Sequence, residues 1–341
     1  MTYFVVSDIH GFAQELIDAL DDAGFDKKNP NHILISLGDE FDRGPEAVRV
    51  YKFLKSIPKK RRIMVKGNHT DLYLELLNQD YPSGRDFHNH TVDTFCQIAG
   101  KPTITVDGEE YKTEQWLKDG YHYYSGTYFD REEIDPECKK FWQEEILPVV
   151  QAHEITKWLQ SKEWNDYFEL GKYIFVHSFI PVKIKEGFEW AKWYDLKPKF
   201  TEYDPDWRES SAFYEARWGC PYAYFRAGHF DEEIKKGKVL VCGHWFTGDF
   251  YAELAHDYRF MDCPAPIYYD EHLIALDGGC FQKMNYFTLE TFLIHPQNVL
   301  IIREDGKCCD RFQDELNFVK KCAYRETVTI GEENLAPESA E

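Results

Sequence analysis

Short apolar runs separated by polar blocks dominate the first part of the chain. Residues 3–6, 33–35 and 63–65 have the length and β-branched character of buried strands. Apolar residues at helical spacing follow each run, for example Leu16 and Leu20 after the first one. Three successive strand–loop–helix units predict a parallel sheet in an α/β fold.

A polar block stands at the end of each of these three predicted strands. The blocks are Ser7-Asp8-Ile9-His10-Gly11, Gly38-Asp39-Glu40-Phe41-Asp42-Arg43-Gly44 and Gly67-Asn68-His69. Two later apolar runs, residues 173–176 and 239–242, lead in the same way into His177 and into Gly243-His244. Ligands of open α/β sheets bind at the carboxyl ends of the strands. We therefore expect the five strand ends to deliver their polar residues to one place.

The polar residues of these blocks have the chemistry of a site for two metal ions. Asp8 and His10 point to the same side of an extended strand, so both can reach one cation. The two oxygens of Asp39 allow it to bridge two cations, and Asn68 offers a neutral carbonyl oxygen. Each motif is weak when taken alone, because a pair such as Asp-x-His is common. The recurrence of the blocks after strands, at intervals of about 30 residues, makes the joint pattern specific.

The three blocks resemble the G-D-x-H-G, G-D-x-x-D-R-G and G-N-H-[ED] signatures of the calcineurin-like metallophosphoesterases. Within that superfamily the chain is most similar to the phosphoprotein phosphatase branch, which includes serine/threonine phosphatases and bacterial and phage relatives. The resemblance covers residues 1–70 and 173–249, and more weakly residues 275–279. It implies an α/β fold in which a two-sheet β sandwich is flanked by helices, in α-β-β-α layers.

The resemblance also implies the roles of the site residues. The implied metal ligands are Asp8, His10, Asp39, Asn68, His177 and His244. Asp8, His10 and Asp39 would hold the first cation, and Asp39 with the remaining three would hold the second. His69, paired with Asp42, corresponds to a general acid that protonates the leaving oxygen after attack by a metal-bound hydroxide. Arg43 corresponds to a phosphate clamp, and Arg217, in an Ala-Arg-Trp context, to a second clamp.

The chain departs from the family pattern at three places. Ser7 replaces the first glycine of the first block, which leaves the ligands intact. Thr70 replaces the acid that follows Gly-Asn-His, and Asp71 comes one position later. His244 is followed by Trp245 rather than forming a Gly-His-x-His block. The last difference favours the phosphatase branch over phosphodiesterases.

The predicted function is metal-dependent hydrolysis of phosphate monoesters, with phosphoserine or phosphothreonine in a protein or peptide as the leading substrate. Symmetrical hydrolysis of dinucleoside tetraphosphates is an alternative, because the same branch also performs it. A third hypothesis is a binding scaffold without catalytic activity. The presence of the complete set of implied metal ligands argues against it. Mixed oxygen and nitrogen donors suit two transition metal ions better than Ca²⁺, with manganese as the first choice and iron, zinc or nickel as alternatives.

The rest of the chain predicts one domain over residues 1–330 with a mainly helical insertion at about 81–166. Helices are expected from Thr91, as the capping residue, to Gly100 and from about 136 to 159. The insertion is interpreted either as a lid over the site or as additional core. Residues 167–176 predict a hairpin. Later β-like segments at 272–276, 286–289 and 299–303 are assigned to a second, partly antiparallel sheet.

Composition and charge limit the partners and the cellular compartment that we expect for the protein. The 341 residues carry a formal charge of −20 with a pI near 5.1, which argues against a nucleic-acid partner. Nine cysteines without a C-x-x-C pair indicate reduced thiols. The absence of a signal-peptide pattern and of an apolar run of about 20 residues predicts a cytoplasmic protein without a membrane partner. Residues 331–341 are acidic, lack aromatic side chains and are predicted to be disordered.

Overall fold

A computed structural model describes residues 1–124, 131–188, 197–260, 265–279, 281–282, 293–294 and 297–303. The predicted strand at 286–289 and the predicted disordered tail at 331–341 lie outside these residues. Strands and helices are numbered below in chain order.

The first sheet has five strands in the order β18-β1-β2-β3-β8. Its strands are β1 Thr2–Val6, β2 His32–Ser36, β3 Arg62–Val65, β8 Trp164–Asn165 and β18 Leu300–Arg303. The strands β1, β2, β3 and β8 run parallel to one another, as predicted for the strand–loop–helix units. The strand β18 pairs antiparallel with β1. The assignment of 299–303 to the second sheet is therefore wrong.

The second sheet also has five strands, in the order β14-β15-β13-β10-β9. Its strands are β9 Phe168–Leu170, β10 Tyr173–Phe175, β13 Val239–Cys242, β14 Tyr268–Tyr269 and β15 Leu273–Ala275. The central strands β10, β13 and β15 are parallel, whereas β9 and β14 are antiparallel edges. The antiparallel pair of β9 and β10 confirms the predicted hairpin.

Four further strand pairs and thirteen α-helices belong to the described residues. The pairs are β4 Thr103–Val106 with β5 Glu109–Lys112, β6 Tyr121–Tyr124 with β7 Arg131–Ile134, β11 Val182–Ile184 with β12 Thr201–Tyr203, and β16 Phe281–Gln282 with β17 Leu293–Ile294. The helices are α1 Ala13–Asp22, α2 Ala47–Ser56, α3 Asn68–Leu76, α4 Gly84–His88, α5 Thr91–Ile98, α6 Thr113–Asp119, α7 Pro136–Phe141, α8 Leu147–Ala152, α9 Glu154–Leu159, α10 Phe213–Arg217, α11 Pro221–Arg226, α12 Asp231–Lys235 and α13 Thr247–Ala255. None of the described helices is both long and apolar enough to cross a membrane.

The side chains of the second sheet alternate between two hydrophobic clusters, and this alternation shows that the two sheets pack face to face. Phe175 and Val241 belong to the cluster that also contains the first sheet, whereas Ile174 and Leu240 belong to a second cluster. Successive residues of a strand point to opposite faces, so one face of this sheet covers the first sheet. The other face is covered by α10 to α13, whose buried residues include Phe250. The predicted sandwich with outer helices is thereby confirmed.

Residues 81–166 contribute to the same core as the first sheet. Phe95, Trp142 and Trp158 are buried in the cluster that holds the strands β1 to β3. The region contains two hairpins besides its helices, and the predicted helix at 136–159 is interrupted. A π-helical turn, Trp142–Ile146, separates α7 from α8, and His153 has an extended backbone between α8 and α9.

Candidate dinuclear metal site

The loops that follow the five predicted strands are connected to one another by short contacts. The backbone N–H of His10 donates to the carbonyl oxygen of Asp39 over 2.8 Å, which joins the loops after β1 and β2. The N–H of His244 donates to Asp8 Oδ2 over 2.9 Å, and His177 Nε2 lies 3.4 Å from Asp39 Oδ2. These last two contacts connect the loops of the second sheet to those of the first. The structure thus brings predicted ligands from both sheets together.

Six of the predicted site residues have a left-handed backbone, with φ between 49° and 71°. They are Asp8, His10, Asp39, Asp42, Arg43 and His244. This conformation costs an L-residue roughly 1–2 kcal/mol, so the surrounding loops must hold it in place. The packing is tight enough to do so, since a Cβ added to Gly67 would collide with Asp39 Oδ1. Strained backbone of this kind concentrates at functional sites.

Asp39 lies at the centre of the arrangement and is 2% exposed. Its Oδ2 atom is 3.4 Å from His177 Nε2, 3.8 Å from His69 Nε2 and 3.9 Å from His10 Nε2. Two sets of side chains have ligand atoms within 4.8 Å of one another, namely His10, Asp39 and His69, and Asp39, His177 and His244. The two sets share Asp39, so its carboxylate is placed to contact two cations.

Asp8 and Asn68 add oxygen donors next to these sets. Asp8 Oδ1 is 3.9 Å from His10 Nε2, and its Oδ2 also accepts a hydrogen bond from the Ser7 hydroxyl. Asn68 Oδ1 is 2.8 Å from His177 Nε2. Two atoms with ligand lone pairs at this distance hold a proton or a cation between them. The set of carboxylate, amide and imidazole donors therefore fits divalent transition metals.

Backbone carbonyls orient two of the imidazoles. His177 Nδ1 donates to the carbonyl oxygen of Leu37 over 2.8 Å, and His10 Nδ1 lies 3.2 Å from that of Phe41. When Nδ1 carries the proton of a neutral imidazole, the lone pair is on Nε2, which is the atom that faces the carboxylates. Metal-binding histidines are commonly fixed by such a carbonyl partner.

Burial and neighbouring charges shift the ionisation of the cluster. Burial would raise the pKa of Asp39, but the charges of His177 and His69 outweigh it and hold that pKa well below its ordinary value. Burial opposes protonation of His177, yet Asp39 raises the pKa of this imidazole to about 9. Burial lowers the pKa of both His10 and His244 well below the ordinary value. Carboxylate and neutral imidazole are the forms that bind metal, so Asp39, His10 and His244 are in the binding form at neutral pH, whereas His177 has to release a proton when a cation binds.

The predicted acid, His69, forms a buried couple with Asp42. His69 Nδ1 donates to Asp42 Oδ2 over 2.7 Å, and Asp42 is fully buried. The half-buried Arg43 places Nη2 3.5 Å from His69 Nε2. The predicted acid and the predicted clamp therefore lie side by side, although His69 is also close enough to His10 and Asp39 to belong to a set of potential metal ligands.

The prediction of Thr91 as a helix cap is corrected by the structure. The helix α5 has His90 as its N-cap, in a left-handed conformation, and Thr91 is its first residue. The Thr91 hydroxyl donates to Asp42 Oδ2 over 2.8 Å. A contact between residues 49 positions apart leaves no trace in local sequence patterns, so local sequence supports only the capping interpretation.

Arg217 lies on α10 and is 6% exposed. Its Nε and Nη2 atoms donate to the two carboxylate oxygens of Asp71 over 2.7 and 2.9 Å, and Nη1 donates to Asp166 over 3.0 Å. Asp71, the acid displaced by one position from the family signature, thus binds the guanidinium in a fork. The role of Arg217 as a phosphate clamp stays a prediction.

Two further acids near the site are not singled out by the sequence analysis. Burial raises the pKa of Glu40 to about 8, and the Ser36 hydroxyl donates to its Oε1 over 2.6 Å. Asp277 follows β15 and is buried, and burial together with Asp8 raises its pKa well above the ordinary value. The strand-end pattern that locates the other residues applies to Asp277 as well and is the signal that could have found it.

Curated relatives match short segments of the chain. A symmetrical bis(5'-nucleosyl)-tetraphosphatase of Psychromonas ingrahamii is 36% identical over 86 residues, which are 25% of this chain and 30% of the relative. The asymmetrical bis(5'-nucleosyl)-tetraphosphatase PrpE of Bacillus velezensis is 37% identical over 76 residues, or 20% of this chain and 30% of that protein. The chain thus spans about a third of the length of these relatives.

Solved structures and a protein family match a larger part of this chain than the curated relatives do. The crystal structure of a cold-active protein-tyrosine phosphatase of a psychrophilic Shewanella species covers 82% of this chain and 71% of its own, at 13% identity and a TM-score of 0.38. The family described as Calcineurin-like phosphoesterase matches residues 1–248, nearly three quarters of the chain. This match confirms the resemblance drawn from the three polar blocks. The chain belongs to the calcineurin-like phosphoesterase family.

Proposed function

We propose that the protein is a metal-dependent hydrolase of phosphate monoesters, with phosphoserine and phosphothreonine as the first candidate substrates. The observation that carries this proposal is the position of Asp39, whose carboxylate is shared by two sets of potential metal ligands. A carboxylate between two cations is typical of two-metal phosphoester hydrolysis. Family membership supports the same class of reaction.

The proposed ligands of two divalent cations are Asp8, His10, Asp39, Asn68, His177 and His244. Bound divalent cations supply Lewis-acid activation of water and neutralise charge on the phosphoryl oxygens. Manganese is the proposed metal, with iron, zinc and nickel as alternatives, because the donors combine imidazole nitrogen with carboxylate and amide oxygen.

The remaining side chains have roles in binding and proton transfer. The Arg43 guanidinium can bind two phosphoryl oxygens in a fork. His69 donates the proton on Nε2 to the leaving oxygen, and its position 3.5 Å from Arg43 Nη2 keeps that oxygen beside the clamped phosphoryl group. Asp42 holds the proton on His69 Nδ1, which fixes the tautomer and stabilises the charged imidazolium.

Arg217 is proposed as the second clamp. Three phosphoryl oxygens share charge in the displacement, and Arg43 alone binds two of them. Since Asp71 and Asp166 bind the guanidinium of Arg217, this role requires a phosphoryl oxygen to replace one of these carboxylates.

Hydrolysis of dinucleoside tetraphosphates is the second candidate. The observation in its favour is that the two relatives described above are named bis(5'-nucleosyl)-tetraphosphatases. They are 36% and 37% identical to this chain over short segments. The two candidates share the metal ligands, the acid and the clamp, and they differ in the leaving group. The scaffold alternative is weaker, because the six proposed ligands and the His69–Asp42 couple are all present together.

A substrate panel tests these alternatives. The wild-type chain and Asp39→Asn would be assayed with added Mn²⁺ on a phosphopeptide, p-nitrophenyl phosphate and diadenosine tetraphosphate. We expect turnover of the phosphopeptide and of p-nitrophenyl phosphate that Asp39→Asn abolishes. Faster turnover of diadenosine tetraphosphate would favour the second candidate. Lack of turnover on all three substrates, or equal turnover by Asp39→Asn, would contradict the proposal of a two-metal phosphoesterase.

A further inference from the structure

One face of the helix α5 contacts the loop that carries Asp42. The contacting side chains are Thr91, Thr94 and Gln97. Residues three positions apart lie on the same side of a helix, so these side chains form one stripe. The helix belongs to the region 81–166, which the family signatures do not cover.

The contacts at the N-terminal end of this stripe involve Asp42 directly. The Thr91 hydroxyl donates to Asp42 Oδ2 over 2.8 Å, and the backbone N–H of Asp42 donates to Thr94 Oγ1 over 3.0 Å. All three residues are fully buried. Asp42 Oδ2 therefore accepts two hydrogen bonds, one from Thr91 and one from His69 Nδ1, the latter over 2.7 Å.

The contact at the other end of the stripe fixes the loop backbone. Gln97 Oε1 accepts the N–H of Ala47 over 2.9 Å, and its Nε2 donates to the carbonyl oxygen of Gly44 over 2.9 Å. Asp93 accepts a second hydrogen bond from the same amide over 2.6 Å. The loop is thus held both at Asp42 and five residues later by one helix.

The carboxylate of Asp42 has few other constraints. Among the described residues, its Oδ1 atom is buried without a hydrogen-bond partner. If the Thr91 hydroxyl were removed, the hydrogen bond to His69 would be the only one left on the carboxylate within the part of the chain that the structure describes. The plane of the carboxylate, and with it the ring of His69, would then be less well defined.

We propose that Thr91 is a positioning residue for the His69–Asp42 couple, and that α5 is thereby part of the active site. The proposal rests on the proposed function, in which His69 donates a proton to the leaving oxygen. Thr91 acts through Asp42: its hydroxyl fixes the carboxylate that orients His69 Nε2 toward the leaving group. Such an effect matters most for substrates whose leaving oxygen needs protonation.

The test compares three variants in the full-length, metal-loaded chain. Thr91→Val removes the hydroxyl at nearly constant volume, and Thr91→Ser keeps it. Thr113→Val is the matched control, because Thr113 is also fully buried in the region 81–166 and, within the described residues, its hydroxyl has no hydrogen-bond partner. Turnover would be measured on an alkyl phosphate and on p-nitrophenyl phosphate, together with metal content.

We expect Thr91→Val to lower kcat on the alkyl phosphate by about 10-fold or more, which is part of the roughly 10²–10⁴-fold that a general acid contributes. On p-nitrophenyl phosphate the loss should stay within about 2-fold, since this leaving group needs little protonation. KM, metal content and the activities of Thr91→Ser and Thr113→Val should stay close to wild type. In a His69→Asn background, Thr91→Val should cause no additional loss. Equal losses on both substrates, loss of metal, or an equal effect of Thr113→Val would overturn the proposal.

A second readout is independent of activity. In the Zn²⁺-loaded chain, the proton on His69 Nδ1 should give a downfield NMR signal that is absent from His69→Asn. Thr91→Val should shift or broaden this signal, whereas Thr91→Ser and Thr113→Val should not. If the wild type proves inactive on every phosphoester, the proposed function fails while this signal still decides the role of Thr91. An unshifted signal in Thr91→Val would overturn the proposal. If Thr91→Val does not fold, Thr91→Ala is measured instead, and failure of both to fold would make Thr91 a structural residue only.

Discussion

At the scale of single residues, Asp39 and Asn68 differ in how many cations they are placed to serve. Asp39 belongs to both sets of potential ligands, whereas Asn68 contacts His177 of the second set through its Oδ1 atom. Asp39→Asn should therefore remove both cations and lower kcat by on the order of 10³-fold, because a Lewis acid contributes several kcal/mol. Asn68→Ala should keep at least one cation and retain more activity. Elemental analysis and turnover measure this difference, and equal metal content and rate in the two variants would argue against a bridging Asp39.

His69 is predicted to act as an acid and not as a metal ligand. Its Nδ1 is bound to Asp42, and its Nε2 lies beside Arg43, where a leaving oxygen would sit. His69→Asn should lower kcat on an alkyl phosphate by about 10²-fold or more and leave the metal content unchanged. The loss should be smaller on p-nitrophenyl phosphate. Since His69 also lies within reach of His10 and Asp39, loss of metal in this variant would reassign it as a ligand.

At the scale of elements, Arg217 connects α10 to α3, the helix that begins with Asn68 and His69. The fork between Arg217 and Asp71 depends on the planar guanidinium, which an ammonium group cannot reproduce. An ammonium group cannot bind two phosphoryl oxygens in a fork either. If Arg217 is the second clamp, Arg217→Lys should therefore lower kcat/KM and weaken inhibition by inorganic phosphate.

The matched control for Arg217→Lys is Arg226→Lys. Arg226 also ends a helix of this region, but its side chain is 57% exposed in a pair with Glu253. Exposed pairs contribute little, so this variant should behave like wild type. Unchanged kinetics and unchanged phosphate inhibition in Arg217→Lys would move the clamp to another residue and leave Arg217 with a structural role.

The elements themselves show which features local sequence can predict. Periodicity locates β1 to β3 and the helices after them, because buried strands and amphipathic helices have distinct repeats. It assigns residues 299–303 to the wrong sheet, because a short apolar run does not specify its pairing partner. The predicted helix at 136–159 contains Pro148, which lacks the N–H of a helical hydrogen bond, and the π-helical turn Trp142–Ile146 ends just before it.

The candidate site likewise contains features that local sequence can predict and features that it cannot. The proposed ligands could be singled out from the sequence because each follows an apolar run and has a side chain suited to metal. The hydrogen bond from Thr91 to Asp42 and the fork between Arg217 and Asp71 could not be predicted from the sequence, because they join residues that are 49 and 146 positions apart. The left-handed backbone of Asp8 and Asp39 is equally hard to predict. Asp is enriched among residues with this conformation, but only a few per cent of non-Gly residues adopt it, so the residue type alone does not locate it.

At the scale of the whole molecule, the proposed ligands come from both layers of the sandwich. Asp8, Asp39 and Asn68 follow strands of the first sheet, whereas His177 and His244 follow strands of the second. Cations in this site would therefore connect the two sheets as well as serve the reaction. A ligand that binds only the folded chain stabilises it by RT ln(1 + [L]/Kd), or about 2.7 kcal/mol at roughly 100 times Kd.

Removal of metal should therefore lower both activity and stability. After exhaustive chelation and dialysis we expect no turnover and a lower midpoint of thermal unfolding, and Mn²⁺ should restore both. Ca²⁺ should restore them less well, because its preference for oxygen ligands does not suit the histidines. The Asp39→Asn variant should show no shift of the midpoint with Mn²⁺, since it lacks the shared carboxylate. Full activity in the chelated protein would remove the metal assignment. A Mn²⁺-dependent shift as large in Asp39→Asn as in wild type would show that the stabilising ion binds elsewhere.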